Sequence, residues 1–412
     1  MENRFKKNSQ YYKFCFYGFF KNLRFFDAFL ILFFLEKGLN FLEIGSLYAV
    51  REIAIIVLEI PSGVIADALG RRKTLIASFG VYILSFVLFY FSQSYLLLVA
   101  AMFLFAFGDA FRTGVHKAMI FQYLKLNGWE TQKTAYYGHT RSWSQMGSAV
   151  SALIAGIIVF YAGNYRSIFL VSTIPYLIDM ALIYSYPKYL EGEKKIFAAH
   201  NIYERFKQVI VAFLETFRQL VFLRTLSNLA LYTGYYRAVK DYIQPLLKYF
   251  ALSIPAFAYL NDDKKTAIII GVLYFFIYGI TAVASRQSGN YLRLFSWPGT
   301  AMNRTILIGF TAGIITGLTF YIHFYIIAIL GFLLIIIIEN LRKPIGIALI
   351  ADLTKDESMG TSLSVESQAK SLFAAIIAPL LGWLADIYSP GIAIAVLTVF
   401  LLILFPLYRL KK

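Results

Sequence analysis

The sequence predicts an all-α integral membrane protein: twelve transmembrane helices in two pseudo-symmetric six-helix bundles. Three observations predict it. Of the 412 residues, 59% are hydrophobic and 15% charged, with mean hydropathy +0.65. A soluble globular chain is about 45–50% apolar and about 25% charged. The apolar residues fall in continuous runs, where a β-barrel would alternate. One long polar break, 187–221, divides the runs six and six. The same numbers exclude collagen, a disordered tail and a disulfide scaffold. A single cysteine, Cys15, excludes an intramolecular disulfide and a cysteine-based metal cluster.

Spans are expected near 16–36, 43–66, 74–92, 95–123, 135–161, 165–186, 222–250, 266–285, 303–322, 324–351, 363–385 and 390–408. The basic start and apolar run of the first resemble a signal peptide. Arg24 and Asp27 interrupt that run and no small-residue cleavage site follows, so it reads as a retained helix. Spans 4, 5, 7 and 10 carry charges.

Basic residues set the orientation. One set of loops and ends holds Arg4, Lys6, Lys7, Lys13, Arg71, Arg72, Lys73, Lys125, Lys133, Lys188, Lys194, Lys195, Arg205, Lys207, Arg286, Arg293, Lys355, Arg409, Lys411 and Lys412. The opposite set holds little beyond Lys37, Arg166, Lys264 and Lys265. The asymmetry places both termini in the cytoplasm, in a multi-pass inner-membrane protein. It also accounts for the net charge of +16 without nucleic acid, for which no clustered soluble patch exists.

The domains expected are 1–190 and 222–412, joined by a cytoplasmic linker at 191–221. Within the linker, Ile202, Phe206, Val209, Ile210, Phe213, Phe217 and Leu220 recur at helical spacing, with charges between them. This predicts an amphipathic helix lying along the inner membrane surface, or a plain tether. The halves echo each other. Asp109-Ala-Phe-Arg112 matches Glu339-Asn-Leu-Arg342 at an offset of 230 (339 − 109). Ser144-Gln145-x-x-Ser148 matches Ser367-Gln368-x-x-Ser371 at 223 (367 − 144), and Ser62-Gly63 matches Ser288-Gly289 at 226 (288 − 62). Three matches in order suggest a duplicated six-helix unit, a common transporter plan.

Between spans 2 and 3 the chain reads Gly63-Val-Ile-Ala-Asp67-Ala-Leu-Gly70-Arg71-Arg72-Lys73-Thr-Leu75. This resembles the signature loop of the major facilitator superfamily, G-x-L-A-D-R-x-G-R-R/K-x-x-L. Ala68 departs where the family often has Arg, and Ile65 replaces Leu. With the six-plus-six layout, the resemblance covers essentially the whole chain. It implies a conformational latch in Gly63, Asp67, Gly70, Arg71 and Arg72, closing the cytoplasmic side when the site faces outward. Locally, Gly63 would permit close approach to a neighbouring helix and Gly70 a tight turn. Asp67 can accept from Arg71. The alternative is that the basic triplet only enforces topology. The counterpart around Gly289 is degraded. Span 5 lacks the Gly-Pro signature of the family's efflux branch, which counts against a drug:proton antiporter.

The informative residues are charges inside the membrane. Asp109, Arg112, His116 and Lys117 lie in span 4. Each Asp, Arg or Lys near a helix centre costs about 2.5–3.5 kcal/mol, so three cost roughly 9 kcal/mol, about half recovered by the apolar residues around them. Asp109, Arg112 and His116 share one face, which must line protein or water. Either Asp109 and Arg112 form a structural ion pair, or Arg112 contacts substrate or a coupling acid. The resemblance favours the second, because spans 1, 4, 7 and 10 line the family's central cavity. The candidate substrate contacts are Arg24, Arg112, His116, Arg141, Tyr236, Arg237 and Arg342. Asp27, Asp109 and Glu339 are the candidates for proton coupling, each able to release a cation to an anion on protonation. No catalytic residue, cofactor or resident metal is expected.

The function expected is secondary active transport of a small anionic or zwitterionic organic solute, by alternating access and with protons as coupling ion. The expected partners are that solute, protons and the lipid bilayer, with the protein a monomer. The alternatives are a multidrug or lysolipid exporter of the same fold and, more remotely, a metal transporter or an intramembrane enzyme. Ala106-Phe-Gly108-Asp109 comes near an intramembrane aspartyl protease motif, but the second Tyr-Asp is missing, as are His-Glu-x-x-His and a Walker A loop.

Overall fold

The structure, a computed structural model, describes residues 6–191, 199–216, 220–255, 259–353 and 359–411. Arg4, Lys194, Lys195, Lys355 and Lys412, used above for orientation, lie outside them. Among the described residues every regular element is helical. Among the described residues eight helical segments are long and apolar enough to cross a membrane, span 4 counted across its break. Of the other spans, the second is one long helix and the first, seventh and twelfth are built from shorter pieces.

Span 1 is α1 (Ser9–Lys21) and α2 (Leu30–Glu36). It is not the single helix expected. The side-chain amide of Asn22 donates to Gly18 O at 2.6 Å, and the Tyr176 hydroxyl donates to Lys21 O at 3.2 Å. Both carbonyls are thereby drawn away from a continuing ladder. Through the break, tight turns replace it: Leu23 N donates to Phe20 O, Asp27 N to Arg24 O, and Phe29 N to Phe26 O. Span 2 is α3 (Phe41–Leu69), opened by a reciprocal capping box in which Asn40 and Glu43 each accept the other's backbone N–H. Gly70, at φ +97°, turns the chain into α4 (Arg71–Phe91), a conformation that a side chain would strain.

Span 4 is also broken. α5 (Tyr95–Arg112) stops, Gly114 takes φ +86°, and α6 (Val115–Leu126) continues. α7 (Lys133–Ala162) and α8 (Ser167–Tyr184) complete the first six spans. The linker contains α9 (Ala199–Thr216), and Phe217 of the linker pattern lies outside the described residues. Tyr203, Ile210, Val211 and Leu214 are exposed along it.

Span 7 divides into α10 (Leu220–Val239), a tight turn at Lys240–Tyr242, and α11 (Ile243–Ser253). Pro245 lacks the N–H that would bond Asp241 O, so the regular ladder cannot run through. Then follow α12 (Asp262–Arg286), α13 (Ser288–Leu292), α14 (Pro298–Tyr321), α15 (Tyr325–Asp352), α16 (Met359–Ile387), α17 (Pro390–Ile403) and α18 (Phe405–Tyr408).

The chain forms two compact units. The first comprises residues 1–29, 54–203 and 271–279; the second comprises 30–53, 204–270 and 280–412. The first is cored by rings. Phe26 stacks on Phe169 at 5.3 Å, Phe86 meets Tyr176 edge-on at 4.8 Å, and Tyr82 and Tyr176 are fully buried. Such pairs add about 0.5–1.5 kcal/mol each beyond area burial. The second unit relies more on close helix approach. A methyl at Gly45 or Gly382 would strike the backbone of α16 or α3 respectively, and one at Gly317 the backbone of α17. Asp386 of α16 accepts from Phe41 N and Leu42 N, both at 2.8 Å, so a carboxylate caps the positive end of α3. Gln244 of α11 accepts from Ile31 N at 2.7 Å, satisfying an orphan donor at the start of α2.

Candidate substrate site

The first unit gathers its charges where two helices break. Asp109 and Arg112 sit three apart in the last turn of α5, on one face. Gly108 lets the Tyr82 ring lie against that turn, because a methyl there would meet the ring at 2.8 Å. Asp109 Oδ1 accepts three bonds: from Tyr82 OH at 2.5 Å, from Arg24 Nη2 at 3.1 Å and from Arg112 Nη2 at 3.1 Å. Arg112 Nε also donates to Tyr82 OH at 3.0 Å, and Arg24 Nε to Tyr176 OH at 3.0 Å. The Arg24 guanidinium lies 5.2 Å from the centroid of Phe105. Two guanidiniums thus share one oxygen of one carboxylate. Both remain partly exposed, 14% for the Arg24 side chain and 16% for Arg112, so each keeps a face for a ligand.

Sequence reasoning expected Arg24, Asp109 and Arg112 here, and the structure brings them together. Asp27 lies in the span 1 break and acts electrostatically on Arg24. His116 is set apart from the carboxylate. Its ring stacks on Tyr17 at 3.5 Å and bonds Tyr186 OH at 3.1 Å. Arg141 is exposed on α7 and makes no hydrogen bond or ion pair among the described residues. Four groups were missed: Lys21, Tyr82, Tyr176 and Asp179. The rule that flagged span 4, a charge inside an apolar run, would have flagged Lys21 and Asp179. Nothing in the sequence distinguishes Tyr82 and Tyr176 from the other 28 of the chain's 30 tyrosines (30 − 2).

The second unit treats its copy of the acid–arginine motif differently. Glu339 of α15 accepts from the Thr233 hydroxyl of α10, whose single hydrogen is shared between the two carboxylate oxygens, with Oγ1 at 3.0 and 3.2 Å. Arg342 is fully buried and its Nη2 donates to Asn228 O at 2.9 Å and Asn228 Oδ1 at 2.8 Å. Its guanidinium lies 4.5 Å from the Tyr232 centroid, a cation–π contact. Glu339 and Arg342, the counterparts of Asp109 and Arg112, therefore form no ion pair with each other. Asn228, itself anchored by Tyr408 O at 3.1 Å, holds the Nη2 end of the guanidinium. Arg237 pairs with Glu52 at 2.7 Å and bonds Ser371 Oγ at 3.0 Å. Tyr236 is half-buried beside it and makes no hydrogen bond among the described residues. Glu366 and Lys370 form a buried ion pair along α16.

In the signature loop, Arg71 stands 3.9 Å from Asp67. Arg72 reaches Glu191 at 3.4 Å and donates to Tyr184 O and Tyr186 O at 3.3 and 3.1 Å. A cation thereby closes the C-terminal end of α8, where it complements the helix dipole. The close approach expected at Gly63 is absent: a methyl there meets nothing within 4 Å.

A polytopic all-helical fold with charges at broken helices defines a membrane transporter. The family profile described as Major Facilitator Superfamily matches residues 14–363, and the chain belongs to that superfamily. It has the twelve-helix fold of that superfamily. The chain is 30% identical over 155 residues to the uncharacterized MFS-type transporter YxaM of Bacillus subtilis (strain 168). That match spans 37% of this chain and only 35% of the relative. The structure resembles the nucleoside transporter NupG, with TM-score 0.71, 11% identity and 97% of each chain covered. It also resembles a peptide transporter POT in complex with sulfate, with TM-score 0.69, 14% identity and 98% and 95% of the two chains covered. At these identities the likeness shows the fold. Family and structural neighbours are transporters and not enzymes, which sets aside the intramembrane protease.

Proposed function

We propose that this transporter is a secondary active carrier for a small organic anion or zwitterion, coupled to protons and working by alternating access. One observation carries the reading: Arg24 and Arg112, both partly exposed, share a single oxygen of Asp109 where spans 1 and 4 break. A guanidinium fork suits a carboxylate or phosphate. A substrate anion competes with Asp109 for the two forks, and a proton on Asp109 releases them to it. Asp27 and Glu339 are the further coupling candidates. Among the substrate contacts read from sequence, Arg24 and Arg112 have the strongest geometric support.

The surrounding assignments follow the same reading. The halves before and after the 191–221 linker exchange access to the site, with Gly63, Asp67, Gly70, Arg71 and Arg72 as the latch. The charge asymmetry of the loops supports an inner-membrane protein with both termini in the cytoplasm. The working unit is a monomer.

The test is a thermal-shift screen of the purified full chain against organic anions, dipeptides, nucleosides, organic cations, lysolipids and divalent metals, with Arg112→Ala in parallel. A ligand at about 100 times its Kd stabilises by about 2.7 kcal/mol. Stabilisation by one anion or zwitterion class, lost in Arg112→Ala while the variant stays folded, supports the reading. Stabilisation by cations, metals or lysolipids, untouched by the substitution, returns Arg112 to a structural role.

A further inference from the structure

Asp179 on α8 is a buried charged group of the first unit that the reading above leaves without work. It is fully buried, and neither carboxyl oxygen has a hydrogen-bond partner among the described residues. The charges that act on it are Lys21 of α1 and Arg112 at the end of α5, and the phenols of Tyr17 and Tyr186 are its other titratable neighbours. His116 lies further along, acted on by Lys21 and Arg112. We propose that Asp179 carries the coupling proton of this transporter, held as a neutral carboxyl beside Lys21 and Arg112 while Asp109 serves as the fixed anionic partner of the two arginines. This inference rests on the proton-coupled reading but moves the proton from Asp109, Asp27 or Glu339 to Asp179.

The two acids differ in what surrounds them. Asp109 receives three donors on one oxygen, the environment of a carboxylate. Asp179 receives none, and a buried carboxylate without donors is far costlier than a neutral carboxyl. Charge counting gives the consequence. Lys21, Arg24 and Arg112 face Asp27, Asp109 and Asp179. With every acid ionised the cluster is neutral; with a proton on Asp179 it carries one positive charge in excess. That excess favours an anion, so proton and anion bind together, and each raises the affinity for the other. On release the Asp179 O–H bond breaks, the proton passes to water past the partly exposed Lys21, and the new carboxylate turns Lys21 and Arg112 away from the departing anion. The scheme is a proton–anion symport.

Infrared spectroscopy of the full chain in lipid tests this without any ligand. The wild type is expected to show a carbonyl band of a protonated carboxyl that shifts in D2O. The band is lost in Asp179→Asn and kept in Asp109→Asn, and its frequency moves in Asp179→Glu, which keeps the acid if the amide does not fold. Lys21→Met is expected to move the pH at which the band disappears by about one unit or more. A wild type without the band overturns the proposal, as does a band indifferent to both Asp179 substitutions or a pH dependence unmoved by Lys21→Met. If the band behaves as expected but no ligand class stabilises the protein through Arg112, the substrate-site reading fails and the location of the proton stands.

Discussion

The same four-residue motif, acid-x-x-arginine, occurs at Asp109–Arg112 and at Glu339–Arg342, and the two copies do opposite things. At the first, the arginine turns back on its own acid and a second arginine joins it. At the second, acid and arginine separate. Glu339 takes a threonine hydroxyl, and Arg342 takes both the carbonyl and the side chain of Asn228. Helical spacing puts both pairs on one face but does not make them bond. What differs is the competing neighbour. Tyr82 of α4 bridges Asp109 and Arg112 and holds them together. Asn228 and Tyr232 of α10 capture Arg342 and bury it. The first copy ends a helix at Thr113-Gly114 and stays partly exposed; the second lies within the continuous α15. The first keeps the exposure that the proposed site needs, and the second joins α10 to α15.

Four substitutions break or sharpen this contrast. The largest effect is expected from Asp109→Ala, which leaves two guanidiniums and a phenol with no shared acceptor; breaking a buried charge network of this kind costs roughly 3–5 kcal/mol. Thermal unfolding in detergent measures it, and a loss no larger than that of Glu339→Ala would erase the distinction between the copies. Arg342→Met removes two charge-assisted bonds to Asn228 and should cost about 1.5–3 kcal/mol while ligand stabilisation survives. A folded Arg342→Met protein blind to ligand would make the second copy part of the binding site. Thr233→Val takes from Glu339 its only donor among the described residues, for about 1 kcal/mol; no change in the melting midpoint would show that Glu339 does not use that bond. Asp67→Asn should shift stability by less than about 0.5 kcal/mol, since its pair with Arg71 is long and exposed, yet slow the transport cycle. A selective fall in ligand affinity would instead place Asp67 in the site.

Much of the fold was legible. Apolar runs of spanning length exist for a physical reason, since backbone in lipid must satisfy itself, and the runs locate the spans. The signature loop was legible because Gly70 needs a positive φ that few residues tolerate. The breaks were only half legible. Gly114 and Pro245 announce two of them, but the break at 22–29 depends on a hydroxyl arriving from Tyr176, more than 150 residues away. In the site, Arg24, Asp109 and Arg112 could be found because a charge in hydrocarbon needs a reason. Lys21 and Asp179 obeyed the same rule and were passed over. Tyr82 and Tyr176 could not be found, because tyrosine is at home in any apolar helix of so aromatic a chain.

By itself the sequence determined the membrane class, the spans and the presence of charges that must turn inward, since each follows from the free energy of placing a residue type in lipid. Tertiary structure alone decided which charges meet. A guanidinium goes to whichever acceptor the packing brings closest, and that choice is made by side chains from other helices: Tyr82 for Arg112, Asn228 for Arg342, and, among the described residues, no donor for Asp179.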